Sequence, residues 1–500
     1  MGGFASGAAA AASIPFMNTT QSSRRKFLQH SAVGAAAWAL TPHAWAQVKG
    51  ANNDIRVAVV GFRGRGQSHL ADLLKVKGAR IVALCDVDRQ VLDRGVKFLA
   101  GKGHTAKPYT DVRQMLESRE IDAVSTATPN HWHSLLTIWA CQAGKDVYVE
   151  KPVSHNIWEG RQMVAAARKY GRIVQAGTQS RSDTALQDCR AWLGEGHLGR
   201  ITVARGLCYK RRPSIGKVNG PQPVPSHIDY DLWTGPAEMR PLQRQKLHYD
   251  WHWDFNTGNG DLGNQGIHQM DIALWFLGQK ALPRRVMSVG GRVGYVDDGN
   301  TPNTQIIHLD YPEAPLVFEV RGLKANARTD RMDTFLGAGY GNVFHCENGF
   351  VVAHNGGQDG GTVTAHDRSG AVLRVFPGDR RNHHENWAKA IRSRKSSDLT
   401  ADIEGGHIAS ALCHAGNISY LVGRKASPDE IREKVRGNRE TADAYERMAL
   451  HLAANNVKEL MTLGEMLTID PSTERITNNE QANALLRRNY RSPFVVPEKV

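Results

Sequence analysis

The sequence predicts an α/β protein: a doubly wound parallel sheet at the N-terminal side, followed by a second α/β domain with a mostly antiparallel open sheet. Three observations carry this. A β-branched run at residues 55–60 passes through a glycine-rich turn into a helical pattern; strands and helices then alternate as far as residue 176; and from about residue 305 short strands follow one another through glycine-rich turns with no helix between them. With 500 residues the chain is also too long for a single core, which stops growing near ~250–300 residues.

The first unit reads in order. Residues 55–60 form a short apolar strand, Gly61-Phe62-Arg63-Gly64-Arg65-Gly66 is the turn, and 67–74 carries helical spacing. A second strand, 80–85, ends at Asp86, twenty residues after Gly66. In a dinucleotide-binding βαβ unit the pyrophosphate rests on N–H groups at the helix N-terminus and an acid at the end of strand two accepts from the ribose, so Asp86 argues for NAD over NADP. The match is imperfect: Arg63 stands at the second glycine position with Gly64 one place later, and the guanidinium groups of Arg63 and Arg65 leave NADP open. Further strands are expected at 121–126, 146–150 and 173–176, with helices at 133–143 and 157–170. Ligands bind beyond the carboxyl ends of such strands, which makes Thr128, Pro129, Asn130 and His131, then Glu150 and Lys151, then Gln179, candidate cofactor contacts together with Gly61, Arg63, Gly64, Arg65, Gly66 and Asp86.

Composition narrows the rest. Apolar residues make up 41% and charged residues 22%, the proportions of a packed globular chain. No run of ~18 apolar residues exists to span a membrane. The formal charge of +14 is spread over scattered basic residues without a nucleic-acid-binding signature, so no nucleic-acid partner is expected. The six cysteines are isolated, and the histidine pairs 131/133, 383/384 and 407/414 lack metal-site spacing with paired carboxylates, so no metal is expected. At the N-terminus, 22–28 is a twin-arginine pattern (Arg24, Arg25), 32–40 is mildly apolar and Ala44-Trp45-Ala46 is an A-x-A cleavage signal. Residues 1–46 are therefore expected to be a leader read by the twin-arginine export machinery, with Met17 an alternative start, and the mature protein to be periplasmic or otherwise exported. Domains are expected at 47–177 and 178–500.

In the second unit, a strand at 200–208 exits through Tyr209-Lys210-Arg211-Arg212. A long excursion, 214–260, is rich in proline and tryptophan and includes Trp251-His252-Trp253; loops of that length are functional or disordered, and tryptophan density argues against disorder. Aromatic faces beside Arg and His suit carbohydrate, which makes Arg211 and Trp251 candidate substrate contacts. Strands follow at 305–309, 316–321, 341–346, 350–353, 362–367 and 371–376, then helices at 382–394, 403–422 and 440–456, and a tail, 487–500, that straps across the surface or a neighbouring subunit of a homo-oligomer.

The glycine turn, Asp86, Ala127-Thr128-Pro129-Asn130-His131-Trp132-His133, Gly144-Lys145-Asp146-Val147-Tyr148-Val149-Glu150-Lys151-Pro152 and Gly260-Asp261-Leu262-Gly263-Asn264-Gln265-Gly266-Ile267-His268 together resemble the glucose-fructose oxidoreductase, inositol dehydrogenase and MocA (Gfo/Idh/MocA) family. The resemblance implies a Rossmann domain followed by a large, mostly antiparallel open sheet whose face covers the nicotinamide, with sugars and cyclitols as substrates. It implies that Lys151 orients the substrate hydroxyl and that His268 is the general acid/base. Where the family often has an aspartate four residues before that histidine, this chain has Asn264, which can hold a hydroxyl but cannot share a proton, so the proton falls to His268 with Lys151. Lys151, His268 and Asn264 are thus the catalytic and substrate-binding candidates.

Three functions fit. The first is an exported NAD(P)-dependent oxidoreductase acting on a sugar or cyclitol hydroxyl. Soluble NAD is not expected outside the cytoplasm, so its cofactor would stay tightly bound. The second is a glycoside hydrolase or lyase working by transient ring oxidation and elimination. The third is a non-catalytic sugar- or nucleotide-binding module.

Overall fold

The computed structural model describes residues 54–354 and 362–500. The twin-arginine pattern, the cleavage signal and Met17 lie outside the described residues.

Strand β1 (Ile55–Val60) is buried on both faces, as a continuous β-branched run in a parallel sheet must be. It pairs in parallel with β2 (Ala79–Cys85) on one side and β4 (Ala123–Thr126) on the other. With β3 (Lys107–Tyr109), β5 (Asp146–Val149) and β6 (Val174–Ala176) the order is β3-β2-β1-β4-β5-β6, a parallel six-stranded Rossmann sheet whose order reverses beside β1. That reversal opens the crevice in which ligands of such sheets bind.

Helices on this sheet start earlier than their periodicity indicates. The first runs Arg65–Leu73, and Asn130–Gln142 begins directly after Pro129, so Asn130 and His131 lie in its first turn and not in a preceding loop. Helix Arg89–Ala100 is capped by Asp88, whose side chain accepts from the N–H groups of Gln90 and Val91.

The second sheet has twelve strands. Strands β7 (Ile201–Tyr209), β8 (Arg285–Gly291), β9 (Thr304–Asp310), β10 (Leu316–Arg321), β11 (Tyr340–Cys346), β12 (Gly349–His354), β13 (Val363–Asp367), β14 (Val372–Phe376), β15 (Arg424–Ala426) and β16 (Met461–Leu463) lie in the order β14-β13-β12-β11-β7-β10-β9-β8-β16-β15. Strand β17 (Leu467–Asp470) pairs with β8 and with β18 (Arg475–Ile476). Only β7 and β10 run parallel; every other pair is antiparallel. One face is covered by helices Thr184–Gly194, Ile267–Phe276 and Ile403–Leu421, which share the largest apolar core with it. The sequence resumes its visible strands at 305; β8 and the short strands after 424 are added by pairing at the sheet's far edge.

Two later segments return to the first domain. Helix His383–Ser393 stacks His384 on Tyr148 at 4.0 Å and buries Trp387 in that domain's core. The tail packs on its own chain: Phe494 sits edge-on to Trp132 at 5.5 Å, and the Tyr490 hydroxyl donates to Glu159 Oε1 at 2.9 Å.

The excursion also docks on the first domain. Arg89 N–H donates to the His227 carbonyl (3.0 Å), Asp229 N–H to the Val87 carbonyl (3.2 Å), and His248 Nε2 lies 2.9 Å from Asp88 Oδ2. It thereby forms a wall facing the C-terminal ends of β1, β2 and β4.

Candidate active site

A cavity of about 470 Å³ lies between the glycine turn, the Thr128 turn, Glu150-Lys151, Asn264 and excursion residues 246–251. Its nucleotide end is set by backbone shape. Gly61 has φ +67°, and a Cβ there would fall 2.8 Å from Thr128 Cγ2; a Cβ on Gly66 would fall 2.3 Å from the Gly61 carbonyl. Both glycines are therefore demanded by close packing. Gly64 has φ +57° and no atom within 4 Å of a notional Cβ, and it lines the cavity, so it supplies the bare backbone that Arg63 would deny. The helix Arg65–Leu73 behind it has no side-chain cap; the N–H groups of Gly66 and Gln67 turn back to the Arg63 (3.3 Å) and Gly64 (3.0 Å) carbonyls, and the positive end of the helix lies at the cavity.

Asp86 closes this end. Its carboxylate accepts from Phe62 N–H (3.2 Å) and Asp88 N–H (3.0 Å), and it lines the cavity. Burial pushes its carboxyl up to about 6, against the lowering effect of those two N–H groups. An uncapped helix N-terminus, a bare glycine and a carboxylate at the end of β2 fit a dinucleotide, with Gly64 and the helix end for the pyrophosphate and Asp86 for the ribose diol.

At the other end, Lys151 enters from β5 and Asn264 from a π-turn, Leu262–Gly266, that leads into helix Ile267–Phe276. Lys151 Nζ donates to the Asn264 carbonyl at 2.8 Å, joining the two domains across 113 residues of sequence. Burial draws the Lys151 ammonium below its usual range against the pull of Glu150, and Arg65, Lys210 and Arg212 lower it further. Half-buried His268 stands one residue into that helix and makes no hydrogen bond among the described residues. Burial holds its imidazole well below the usual range, and the largest charge effect in the same direction comes from Lys151. His268 thus feels the charge of Lys151 and is not among the residues that form the cavity wall.

Glu150 is a buried hub. Arg65 Nε (2.8 Å), His69 Nε2 (3.1 Å) and Gln179 Nε2 (2.7 Å) all converge on its Oε1. Burial would raise this carboxyl, but Arg65, His69 and Lys151 outweigh it and hold it well below the carboxylate range.

Several candidates are placed elsewhere than the sequence indicates. Arg65 lines the cavity, yet its Nε is committed to Glu150 and not open to a phosphate. Gln179 does not line the cavity; its amide is used on Glu150 and the Tyr148 hydroxyl (3.2 Å). His131 is buried with its ring nitrogens against the Thr257 (3.1 Å) and Trp233 (3.0 Å) carbonyls, so it fastens the excursion and does not reach a cofactor. Arg211 points to solvent and pairs with Asp330 at 3.3 Å, because alternation along the exit of β7 turns its neighbours inward instead. Thr128, Pro129, Asn130, Trp251 and Arg63 do line the cavity.

Other residues in and around the site were not among the candidates. Arg212 makes a buried two-pronged pair with Asp261 (2.9 and 2.5 Å) and donates to the Tyr249 hydroxyl (2.9 Å). Tyr249 lines the cavity with φ +66°, a strained conformation for a tyrosine. His133 sits between the Thr128 carbonyl (2.8 Å) and the Pro152 carbonyl (2.6 Å), tying two cleft turns together. His133 and Asp261 lie within motifs the sequence shows and Arg212 at the exit of a visible strand, but nothing local assigns them these partners; for Tyr249 the signal was the density of aromatic and basic residues in the excursion. Among the described residues no cluster of three or more His, Cys, Asp or Glu is arranged to hold a metal, and no helix is long and apolar enough to cross a membrane.

Comparison with known proteins agrees with this geometry. Residues 55–178 match the Gfo/Idh/MocA oxidoreductase family's NAD-binding Rossmann fold, and residues 192–296 match that family's C-terminal alpha/beta domain. An inositol 2-dehydrogenase of Saccharopolyspora erythraea is 34% identical over 147 residues, 29% of this chain and 43% of that protein. A glycosyl hydrolase family 109 protein of Shewanella pealeana is 34% identical over 121 residues, 23% of this chain and 26% of that protein. The matched stretches thus span less than half the length of either relative. The crystal structure of the WlbA dehydrogenase from Bordetella pertussis in complex with NADH and UDP-GlcNAcA superposes with a TM-score of 0.52 at 20% identity, covering 72% of this chain and 94% of that one, a likeness of fold. Over those two regions the chain matches both domains of that oxidoreductase family, the first of them as an NAD-binding Rossmann domain.

Proposed function

We propose that this Gfo/Idh/MocA family chain is an exported oxidoreductase that oxidises a carbohydrate or cyclitol hydroxyl with a tightly held NAD. The observation that carries the proposal is the bond from Lys151 Nζ to the Asn264 carbonyl, which joins a Rossmann strand end to the second domain four residues before His268 in the chain. NAD, when bound and held by Gly64, the helix end at Arg65 and Asp86, would supply a nicotinamide ring as the hydride acceptor for the carbinol carbon. Lys151, held by that bond and drawn down in pKa by burial, offers its remaining protons to the substrate hydroxyl oxygen and orients it. His268, kept neutral by burial and by the neighbouring ammonium, receives the hydroxyl proton. The Asn264 amide holds a neighbouring hydroxyl, while the aromatic wall at Trp251 excludes water and offers an apolar ring face.

The test is a pair of variants. His268→Ala and Lys151→Ala should each lower turnover by ~10²–10⁴ while retaining NAD, because proton transfer is lost and the glycine turn is untouched. Full activity in both variants refutes the mechanism. A second reading, glycoside cleavage through transient oxidation and elimination, is supported by the name of the glycosyl hydrolase family 109 relative. Under that reading a glycoside is consumed with no net accumulation of NADH, whereas the first reading requires a second substrate to reoxidise the cofactor.

A further inference from the structure

The main cavity runs on past Asp86. There its walls are Val87, Val112, Trp132 and Leu136 from the first domain and Leu232 and Trp233 from the excursion. The adenine of a dinucleotide is bonded to the ribose assigned to Asp86, and an apolar slot edged by indole rings suits a purine.

Leu232 and Trp233 belong to a helix of five residues, Tyr230–Thr234, too short to keep its place unaided. From the first domain it is fixed by Trp132 Nε1, which donates to the Leu232 (3.0 Å) and Trp233 (3.1 Å) carbonyls. From the other end of the chain it is fixed by segment 487–500. Arg491 Nη1 donates to Asp231 Oδ1 (2.6 Å) and Nη2 to the Asp231 carbonyl (2.9 Å). Three residues on, Phe494 is 1% exposed and packs edge-on against Trp132. Arg488 grips the excursion a second time, donating to the Asn256 carbonyl (2.9 Å) and to its Oδ1 (2.8 Å), while Tyr490 is anchored on Glu159 of the first domain. The segment therefore touches both the tryptophan of the slot and the helix that closes it, and lines no part of the cavity itself. Its grip is uneven. Phe494 is buried, but the Asp231 side chain is 61% exposed, and an ion pair open to water contributes little. Docked chain ends open locally before a core does.

We propose that segment 487–500 is a latch on the cofactor: while it is docked, helix Tyr230–Thr234 stays closed over the adenine and NAD is retained, and its local release opens that wall for exchange. The proposal rests on the NAD binding of the function given above and not on its hydride transfer. The test loads the full protein with NADH, mixes it with excess NAD and follows the loss of bound-NADH fluorescence. Removing 487–500 should speed release at least about tenfold. Arg488→Gln with Arg491→Gln, which cuts the bonds to the excursion and leaves Phe494 buried, should speed it at least about threefold. In the NAD-free double variant, amide hydrogen exchange should rise at 229–235 and stay unchanged in β1. By reciprocity, NADH must in turn slow exchange within 487–500 of the unaltered protein, a result that holds whatever the substitutions do to folding. An unchanged release rate in the double variant overturns the latch, as does exchange that rises equally in β1, the mark of a segment that only stabilises the fold. Exchange within 487–500 that ignores NADH overturns it too. Unaltered protein that binds no NADH overturns both the latch and the function above, whereas NADH bound and released at the same rate from every variant removes the latch alone.

Discussion

Asp86→Asn separates two effects of one carboxylate that have opposite signs. In the folded protein the carboxyl titrates at about 6, raised by burial from an ordinary value near ~3.9. An acid whose folded pKa is raised binds more protons folded than unfolded between those two values, so stability falls as pH rises through that window and stays lower above it. A rise of about 2 units corresponds to at most about 3 kcal/mol, reduced here because solvent reaches this half-buried carboxylate. Asp86→Asn should therefore stabilise cofactor-free protein above pH 6 and leave it unchanged near pH 3. Cofactor affinity should move the other way. A hydrogen bond to a charged acceptor contributes about 1.5–3 kcal/mol, so at pH 8 the substitution should weaken NAD by about 10- to 150-fold and narrow any preference over NADP. In the unaltered protein NAD affinity should be full above pH 7 and fall by about tenfold from pH 7 to pH 5 as the carboxylate is protonated; in Asp86→Asn it should be flat. The assay is NAD and NADP titration of cofactor-stripped protein from pH 5 to 8, paired with urea unfolding at each pH. Unchanged NAD affinity in the variant at pH 8, or a flat pH profile in the unaltered protein, would refute the assignment.

Asp261→Asn removes one partner of the buried Arg212 pair and should destabilise the protein by about 3–5 kcal/mol in urea unfolding; a loss below 1 kcal/mol would show that Arg212 finds another acceptor. Changing Arg24→Lys together with Arg25→Lys should leave the protein in the cytoplasm with its leader uncut, as read by fractionation and N-terminal mass; normal export of the double variant would remove the export proposal.

How much was legible follows from which interactions are local. The β-branched run of β1, the glycine spacing of 61–66 and Asp86 at the end of β2 are dictated by backbone geometry over thirty residues, so the NAD-binding unit is written in the sequence. The order of strands β11 to β14 is likewise a chain of short hairpins. The meeting of Lys151 with Asn264, the pairing of Arg212 with Asp261 and the clamp of Asp88 on His248 join residues 49 to 160 positions apart. No periodicity reports such contacts, because their energy is gained only after both domains and the excursion have folded against one another. The same holds for the candidates that shifted role. His131 and Gln179 sit at the strand ends where cofactor contacts belong, but burial under the excursion gave His131 two carbonyls to face and packing gave Gln179 the Glu150 carboxylate to hold. Arg211 and Arg212 are indistinguishable as neighbouring letters; strand alternation at the exit of β7 turned one to solvent and the other onto Asp261. Sequence alone determined the residue types and the strand ends at which chemistry is possible. Tertiary packing decided which of those side chains remain free to meet a ligand, since a polar group taken out of water must first satisfy its own hydrogen bonds.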